Sequence, residues 1–470
     1  MIHTPNLDRV VALGVTFTHA YNMGGWHGAI CVASRSMIIS GRSLWPALEV
    51  EKAWNASNGQ SVDDTWAKLM EGQGYNTYMT GKWHIRAEVD QVFQFTKDVR
   101  PGGMPADYWV GNDTIWRALT ETYQRGGDLA RVLPLGYNRP LDKQDTAWSA
   151  SDPVHGGYWA GGTHWSEVVK NNALQFLKDA GESENPFFMY LAFNAPHDPR
   201  QAPREFLEMY PVEEIPLPPN WLPEYPYKDH IGNTPLLRDE ALAPYPRTEF
   251  AIKSHIREYY AIISHLDQQI GEIIEALEAS EQLNNTYIFF TADHGLSVGR
   301  HGLLGKQSLF DHSIRVPLMV AGPGIPENTR LEADVYLQDI VATSLELAGI
   351  EKPDHVFFNS FLDLARGKQQ QGNYDAIYGA YMNFQRMIRK DGFKLIVYPE
   401  VNKVLLFDLE NDPFEMNDLS EHSDFEDLKM DLFNQLVSLQ QQMQDPFELR
   451  SLRSDLGYPE LRVQSSEFER

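Results

Sequence analysis

Three short apolar segments of the sequence each run directly into a loop that carries charged residues and histidine. The segments and the polar residues that follow them are Tyr75–Gly81 with Lys82 and His84, Phe187–Phe193 with His197 and Asp198, and Tyr287–Thr291 with Asp293 and His294. Helical patterns lie between these strand-like segments, and the longest covers residues 256–274. Strands that alternate with helices predict an α/β fold with a large, mainly parallel sheet sandwiched by helices, in which ligands bind beyond the carboxyl ends of the strands. We therefore expect the three loops to meet at one edge of the sheet.

After about residue 370 the pattern changes to four closely spaced strands that are separated by turn residues. The segments "AIYGAYM", "QRMIRK", "FKLIVY" and "VLLFDL" predict an antiparallel meander. A helix with Leu428, Leu432, Leu436 and Leu439 on one face follows and is expected to lie on this sheet. The sequence thus predicts a large α/β domain over residues 1–369 and a smaller C-terminal α+β subdomain over residues 370–470.

Two insertions lack sustained periodicity, one over residues 104–165 that is rich in Gly, Trp and Tyr, and one over residues 212–250 that is rich in proline. Loops of this length inside an ordered domain are uncommon and are often functional. They are interpreted either as loops that contact the substrate at the active edge or as loops that only cover the sheet.

The charge balance of the chain excludes two classes of partner. With 65 acidic and 40 basic residues, the formal net charge is -25, which disfavours binding to nucleic acid and to anionic membrane surfaces. An anionic substrate would therefore have to be attracted by a local cluster of positive groups.

No apolar stretch approaches the roughly 18 residues that a membrane span requires, and the N-terminus lacks the residue order of a signal peptide.

Cys31 is the only cysteine of the chain, so no intrachain disulfide can form. One interpretation is that it is a small buried apolar residue. The apolar "SRSMIISG" segment that follows predicts a helix, which would place Cys31 at a helix N-terminus beside Arg35. Partial positive charge there lowers the pKa of a thiol, so a thiolate nucleophile is the other interpretation.

The segment from Asp293 to Lys306 combines groups that suit a cation and an oxyanion. A carboxylate and the His294 imidazole at a strand end are plausible ligands for a divalent cation, and Lys306 is a point charge for a phosphoryl or sulfuryl oxygen. The alternative for Asp293 is a turn that caps a helix. Several lysines, histidines and an arginine at one sheet edge of an acidic protein favour an anionic tetrahedral ester as the substrate.

The segment from Cys31 to Arg35, "CVASR", with Gly41-Arg42 after it, resembles the signature of the formylglycine-dependent sulfatases of the alkaline-phosphatase-like superfamily. Further blocks are similar to that family in the same order, namely "TPNLDRVVALGVTFTHAY", "GKWH", "FNAPHDP", "TADHGLSVGRHGLLGKQSLFDHSIRVPLMVAGPG", "QRMIRKDGFKLIVYP" and "LFDLENDPFEMNDL". The resemblance extends over nearly the whole chain and implies a sulfuric ester hydrolase.

The resemblance implies that a maturation enzyme oxidises Cys31 to formylglycine. One hydroxyl of the hydrated aldehyde would attack sulfur, and the other would then expel sulfate by collapse to the aldehyde. On the matching positions, Arg35 and Lys82 would steady the diol and the metal site, and His84 would take a proton from the diol.

The matching positions also imply a sulfate site and a metal site. His197 and Lys306 would hold the sulfate, with His197 as the acid for the leaving alcohol. Asp293, His294 and the modified Cys31 would bind a divalent metal, with calcium expected and magnesium as the alternative.

One feature of the family is absent from the sequence. Sulfatases usually begin with a buried strand that ends in two aspartates, further metal ligands, upstream of a block like "TPNLDR", whereas this sequence begins with that block. The resemblance therefore predicts weak metal binding or none, either through an N-terminally shortened sequence or in an inactive relative that binds sulfated ligands. A missing segment with an export signal would imply a periplasmic or secreted protein, and otherwise a cytoplasmic one is expected.

The preferred substrate is a sulfated carbohydrate, a monosaccharide or short oligosaccharide, because the Trp and Tyr rings of the 104–165 insertion could stack on sugar faces. Predicted substrate contacts are Trp26, His27, Asp198, Arg200 and His301, and Gln307 and Arg315 have supporting roles. The alternatives are an aryl sulfatase, a phosphonate monoester or phosphodiester hydrolase, a binding protein without turnover, and a hydrolase that uses an unmodified Cys31 thiol.

Overall fold

The computed structural model describes residues 2–102 and 113–449 of the chain. The strands in this part of the chain are Gly14–Tyr21 (β1), Gly24–Gly25 (β2), Asn76–Lys82 (β3), Phe95–Arg100 (β4), Phe187–Ala192 (β5), Ile288–Thr291 (β6), Arg315–Ala321 (β7), Thr329–Tyr336 (β8), Ile377–Tyr381 (β9), Gln385–Lys390 (β10), Phe393–Tyr398 (β11) and Lys403–Asp408 (β12). The helices are Pro5–Leu13 (α1), Ile30–Ser40 (α2), Leu44–Ala56 (α3), Trp66–Gly72 (α4), Val89–Val92 (α5), Asp113–Gln124 (α6), Trp165–Gly181 (α7), Arg204–Glu208 (α8), Glu249–Ala279 (α9), Asp311–Ile314 (α10), Asp339–Leu347 (α11), Leu362–Ala365 (α12) and Glu426–Gln442 (α13). The α/β class with a C-terminal sheet and helix is confirmed.

The strands of the N-terminal part form two sheets, in the orders β6-β7-β1-β8 and β4-β3-β5. Strand β3 pairs in parallel with both β4 and β5, and β1 pairs in parallel with β8. Strand β7 is antiparallel to β1 and to β6. The chain reaches β7 from a loop and a short helix that stay at the carboxyl end of β6, so β7 has to run back in the opposite direction. The sheets are therefore mixed, which differs from the mainly parallel arrangement that the sequence predicts.

The two sheets form one layer because β5 and β6 share a hydrophobic cluster on each face. On one face, Met189 and Ile288 pack against Leu177 of α7 and Ile273 of α9. On the other face, alternate residues of both strands join the cluster that contains Trp66 and Leu345. Helices thus cover both faces, and the carboxyl ends of β3, β5 and β6 lie at the same edge.

Helix α9 is the longest helix in the described ranges, and it is buried on more sides than its apolar spacing indicates. The Thr248 hydroxyl accepts a hydrogen bond from the Ala251 N–H and caps its start. The buried Asp267 carboxylate accepts from the Leu7 N–H at 2.7 Å and from the Asn6 side chain at 2.9 Å, which fixes the first turn of α1. No helix among residues 2–102 and 113–449 is both long and apolar enough to cross a membrane.

The C-terminal sheet has the strand order β12-β11-β10-β9-β2, and β9 to β12 form the predicted antiparallel meander. Leu432 and Leu436 of α13 are buried in the cluster on this sheet. Gly24 and Gly25 add a short parallel strand beside Ala380 and Tyr381. Because this sheet includes residues from the start of the chain, the division at residues 369 and 370 stays a prediction.

Candidate active site

Cys31 is the second residue of α2, as the sequence predicts, and its side chain is buried. The His27 Nδ1 atom accepts a hydrogen bond from the Ala29 N–H at 3.0 Å just before the helix starts. The helix ends at Gly41, whose φ of 68° lies in the left-handed region that glycine adopts without strain. The first turn of the helix therefore places partial positive charge near Cys31.

Cationic and histidine side chains surround the Cys31 thiol. The His84 Nδ1 atom lies 3.2 Å from Sγ. Burial raises the pKa of the thiol, but the Lys82 ammonium and His84 outweigh burial and hold the pKa well below its usual value. The site thus favours a negative charge at the end of the Cys31 side chain.

Lys82 reaches this position because β3 passes unusually close to β5. Gly81 has a φ of +97°, and a Cβ atom there would lie 2.0 Å from the Ala192 carbonyl oxygen. Only glycine fits this approach, and the next residue, Lys82, is then turned into the site with 3% of its surface exposed. The predicted "GKWH" loop therefore owes its geometry to the glycine before the lysine.

Arg35 connects α2 to the carboxyl ends of two strands. Its Nε atom donates to the Asp293 carboxylate at 2.8 Å, and a terminal nitrogen donates to the Lys82 carbonyl oxygen at 2.6 Å. The same nitrogen lies 3.4 Å from the Tyr190 hydroxyl. Burial opposes ionisation of Asp293, but His294, Arg35 and Lys82 hold the pKa of its carboxyl well below the usual range. Asp293 is therefore ionised at neutral pH.

His294 and Asp293 provide two donor atoms that suit a divalent cation. The His294 Nδ1 atom donates to the Gly295 carbonyl oxygen at 2.8 Å, which leaves Nε2 as a lone-pair acceptor. This buried Nε2 makes no hydrogen bond of ordinary geometry and lies 3.5 Å from an Asp293 carboxylate oxygen. The His294 ring also helps to lower the pKa of the Cys31 thiol. In the described ranges, no group of three or more His, Cys, Asp or Glu side chains is arranged to hold a metal ion. Asp293 and His294 thus supply two of the ligands that a divalent cation needs.

His197 is held as a neutral imidazole of one tautomer. Its Nδ1 atom donates to the Asp198 carbonyl oxygen at 2.6 Å, and Nε2 accepts from an Arg238 nitrogen at 3.4 Å. Burial lowers the pKa of His197 to about 3, Lys82 and Arg238 add to this effect, and the Asp198 carboxylate opposes it. The Asp198 carboxylate makes an ion pair with Arg238. Asp198 therefore acts on His197 both directly and through Arg238.

Lys306 is fully surrounded by protein and is paired with a carboxylate that the sequence does not single out. Its Nζ atom donates to Asp239 at 2.5 Å, and both side chains are 3% exposed. Gln307 donates to the same Asp239 oxygen at 2.8 Å and to the Gly28 carbonyl oxygen at 2.7 Å. Burial lowers the pKa of Lys306, but Asp239 and Cys31 more than compensate and raise it. Lys306 is thus a fixed cation beside the Cys31 loop.

The predicted substrate contacts occupy different surroundings. His27 lies near the site, where burial and His84 lower its pKa. Trp26 is 8% exposed and belongs to the hydrophobic cluster beneath the C-terminal sheet. Arg200 is buried 3.3 Å from His255 of α9. His301 stacks on Phe310 and lies 3.0 Å from the Glu415 carbonyl oxygen.

Arg315 and the aromatic residues of the 104–165 insertion are the remaining predicted groups. Arg315 donates to the Thr18 carbonyl oxygen of β1 and makes an ion pair with Asp311. Of the aromatic residues predicted to stack on sugars, Tyr108 and Trp109 lie outside the described residues. The contacts of Trp26, Arg200 and His301 are likewise with the protein interior, so their substrate roles stay predictions.

Comparison with known families agrees with this arrangement. The family model described as "Sulfatase" matches residues 1–350. The chain belongs to the sulfatase family. A second model, "N-sulphoglucosamine sulphohydrolase, C-terminal", matches residues 299–442 of this sulfatase. The resemblance drawn from the sequence is confirmed, and the protein is an enzyme of the sulfuric ester hydrolase class.

Relatives and solved structures of similar length support the assignment. The uncharacterized sulfatase YidJ of Escherichia coli is 27% identical over 468 residues, which cover 97% of this sulfatase and 86% of the relative. A solved structure of a protein in complex with its substrate D-glucosamine-2-N,6-O-disulfate matches with a TM-score of 0.66 at 19% identity. The match covers 95% of this sulfatase and 94% of that protein chain. The phosphonate monoester hydrolase of Agrobacterium radiobacter has a TM-score of 0.67 at 21% identity, covering 94% and 91%. These structures share the fold of this sulfatase.

Sequence reasoning missed three residues of the site, namely Tyr190, Arg238 and Asp239. Tyr190 lies inside a predicted strand, where its hydroxyl has no distinguishing pattern. Arg238 and Asp239 lie in the proline-rich insertion, where the sequence predicts a loop that contacts the substrate or covers the sheet but singles out no residue. The adjacent Arg-Asp-Glu charges of that insertion were the available signal.

Proposed function

We propose that this sulfatase hydrolyses the sulfate ester of a sulfated carbohydrate, with formylglycine derived from Cys31 as its nucleophile and a divalent metal held by Asp293 and His294. The observation that carries the proposal is the position of Cys31 at the start of α2, with His84 Nδ1 3.2 Å away and Lys82, Arg35 and Lys306 around it. Such preorganised positive charge suits an anionic ester whose charge shifts during bond cleavage.

The burial of Cys31 constrains when the modification takes place. Its side chain is 1% exposed, so an enzyme cannot reach the thiol in the folded protein. Oxidation by a maturation enzyme is therefore expected before α2 packs against the sheet. Once formed and hydrated, the aldehyde supplies a hydroxyl group that attacks the sulfur atom of the ester.

His84 and His197 move the protons in this proposal. His84 is within hydrogen-bond distance of the end of residue 31 and takes the proton of the attacking hydroxyl. The Nε2 lone pair of His197 faces an Arg238 nitrogen at 3.4 Å, and the ring is neutral before the substrate arrives. An anionic ester beside it raises its pKa, so His197 then gains a proton that it transfers to the leaving alcohol.

Fixed cations bind the sulfate group. Lys306 and Lys82 are 3% exposed, and Arg35 is 6% exposed, so their charges act in a site from which most water is excluded. Lys306 and His197 hold the sulfate oxygens, while Arg35 keeps the Asp293 carboxylate in place. These groups stabilise the negative charge on the ester oxygens as the bond to the alcohol breaks.

Asp293 and His294 are the groups that would hold a divalent metal, calcium or magnesium. The ionised carboxylate and the buried, unpartnered Nε2 atom are suitable donors. A metal ion there would act as a Lewis acid on a sulfate oxygen.

A sulfated sugar is the preferred substrate, because the fold is shared with a protein whose structure contains D-glucosamine-2-N,6-O-disulfate. A phosphonate monoester or phosphodiester is the second candidate, supported by the likeness to the phosphonate monoester hydrolase. Both ester classes carry one negative charge and suit the same cations.

The test is turnover of an aryl sulfate, its phosphonate monoester analogue and a panel of sulfated sugars, with mass spectrometry of the Cys31 peptide. A lighter Cys31 peptide with the highest kcat/KM on a sulfated sugar supports the proposal. Preference for the phosphonate supports the second candidate. Sulfated-ligand binding without turnover, with an intact thiol, would instead identify a binding protein.

A further inference from the structure

Asp239 is hydrogen-bonded to two cations of the site, Lys306 and Arg238. One of its carboxylate oxygens accepts from Lys306 Nζ at 2.5 Å and from the Gln307 side chain at 2.8 Å. Its other oxygen accepts from Arg238 at 2.5 Å. Burial opposes its ionisation, but Arg238 and Lys306 hold the pKa of Asp239 well below its usual value. Asp239 is therefore a permanent negative charge in direct contact with a substrate-binding lysine.

The neighbours of Asp239 fix it rigidly against the site. The buried Glu240 carboxylate accepts hydrogen bonds from the Leu304 and Gly305 N–H groups at 3.0 and 2.9 Å, just before Lys306. It also makes a fully buried ion pair with Arg247. Arg238, on the other side, bridges Asp239 to Asp198. The Arg238–Glu240 segment thus holds both the lysine side chain and the backbone that carries it.

We propose that Asp239 is a positioning and specificity-determining residue, which orients the Lys306 ammonium towards residue 31 and makes the pocket select singly charged esters over doubly charged ones. This inference rests on the proposed function of the site. A sulfate monoester carries one negative charge, whereas a phosphate monoester carries two above its second pKa of about 6.

The selection follows from Coulomb's law. A fixed negative charge repels each charge of the bound ester, so it disfavours a dianion about twice as strongly as a monoanion. Removal of the Asp239 charge therefore favours phosphate monoesters over sulfate esters. Any bound metal ion is present in both the wild type and the variant, so its charge cancels in the comparison.

The experiment measures kcat/KM of Asp239→Asn on an aryl sulfate and on the matching aryl phosphate at pH 8. The ratio of phosphate to sulfate turnover is expected to rise at least about tenfold over the wild type. The rise should disappear below pH 6, where the phosphate ester becomes a monoanion. The control is Glu258→Gln, which neutralises a buried carboxylate paired with Arg139 and should leave the ratio unchanged.

A purely structural role predicts that both activities fall together and the ratio stays at its wild-type value, which would overturn the proposal. Asp239→Glu keeps the charge and should keep the wild-type ratio, with a lower kcat because Lys306 is displaced.

Thermal-shift titration with inorganic sulfate measures binding independently of turnover. Asp239→Asn should bind this dianion at least about tenfold more tightly, and unchanged or weaker binding contradicts the proposal.

These measurements separate the two hypotheses. A wild type that turns over neither the sulfated sugars nor the aryl sulfate contradicts the proposed function, whereas an active wild type with an unchanged ratio in Asp239→Asn contradicts only the role of Asp239.

Discussion

The His84 Nδ1 atom lies 3.2 Å from the Cys31 Sγ atom, and the histidine backbone is held in the left-handed region with a φ of 66°. A residue other than glycine rarely adopts this conformation, which persists only where its surroundings fix it. Gly102 supplies part of that fixation, because a Cβ atom there would lie 2.7 Å from the His84 ring. The strained loop thus places one imidazole against the Cys31 side chain.

His84→Gln is expected to lower kcat on an aryl sulfate by about 100-fold or more, because general-base catalysis contributes roughly 100- to 10,000-fold. Steady-state kinetics across pH 6 to 9 measures the effect. His230→Gln changes a histidine that is partly exposed and paired with Glu400, so it should retain full activity. A kcat of His84→Gln within threefold of the wild type would rule out the proposed base.

Lys306→Ala should raise KM and lower kcat/KM of an aryl sulfate by at least about 100-fold, since it removes the buried cation that is proposed to hold the sulfate. It also leaves Asp239 as an uncompensated buried charge, so Lys306→Ala combined with Asp239→Asn should recover part of the lost stability. Cys31→Ala defines the background and should release no sulfate. Turnover close to wild type in either single variant contradicts the assignment of the site.

Arg35→Gln should lower the free energy of unfolding by about 3 kcal/mol or more, because the buried Asp293 carboxylate loses its charged partner. Urea unfolding of the two single variants and of the double variant with Asp293→Asn measures their coupling. The double variant should lose less stability than the two single losses added together. Additive losses would mean that the 2.8 Å contact contributes no coupling.

Removal of divalent metal with EDTA should lower both turnover and Tm, and calcium should restore them. Binding to the folded state alone stabilises by about 2.7 kcal/mol when calcium is at 100 times its Kd. His294→Ala removes the buried Nε2 donor, so calcium should no longer raise its Tm. Asp424→Asn, an exposed carboxylate, is the control and should respond like the wild type. Equal calcium shifts in His294→Ala and the wild type would place the metal elsewhere.

The site was predictable from the sequence wherever a local pattern fixed its position. The apolar run after Cys31 predicted α2, and the ends of β3, β5 and β6 placed Lys82, His197 and Asp293 at one edge. These inferences succeeded because a strand end fixes where the next few residues lie.

The rest depended on contacts between distant parts of the chain. Asp239 reaches Lys306 across 67 positions from a loop without periodicity, so no local pattern could place it. The buried polar residues of α9, such as Asp267, are stabilised by hydrogen bonds from α1, which a helical pattern does not reveal. Strand β7 also runs antiparallel because of the path of the preceding loop.

Two buried histidines outside the active site make the stability of this sulfatase depend on pH. The rings of His164 and His265 meet edge to face with centroids 4.3 Å apart. Burial lowers the pKa of His164 to about 4, and burial together with His164 lowers that of His265 to about 3. Both are near 6.5 in the unfolded chain, so between pH 6.5 and 4 the unfolded state binds more protons and stability falls as the pH falls.

His265→Gln should therefore flatten this dependence. Each histidine contributes a slope of up to about 1.4 kcal/mol per pH unit below pH 6.5, and the variant loses one such contribution. The buried Asp339, whose pKa burial raises to about 7, changes the stability with pH in the opposite direction to the histidines, but it is present in both proteins and cancels in their difference.

Urea unfolding at pH 7.5, 6.5, 5.5 and 5.0 gives the stability curves of the wild type and of His265→Gln. The exposed His422→Gln is the control and should follow the wild type. Parallel curves for His265→Gln and the wild type would show that His265 is protonated equally in the folded and unfolded states.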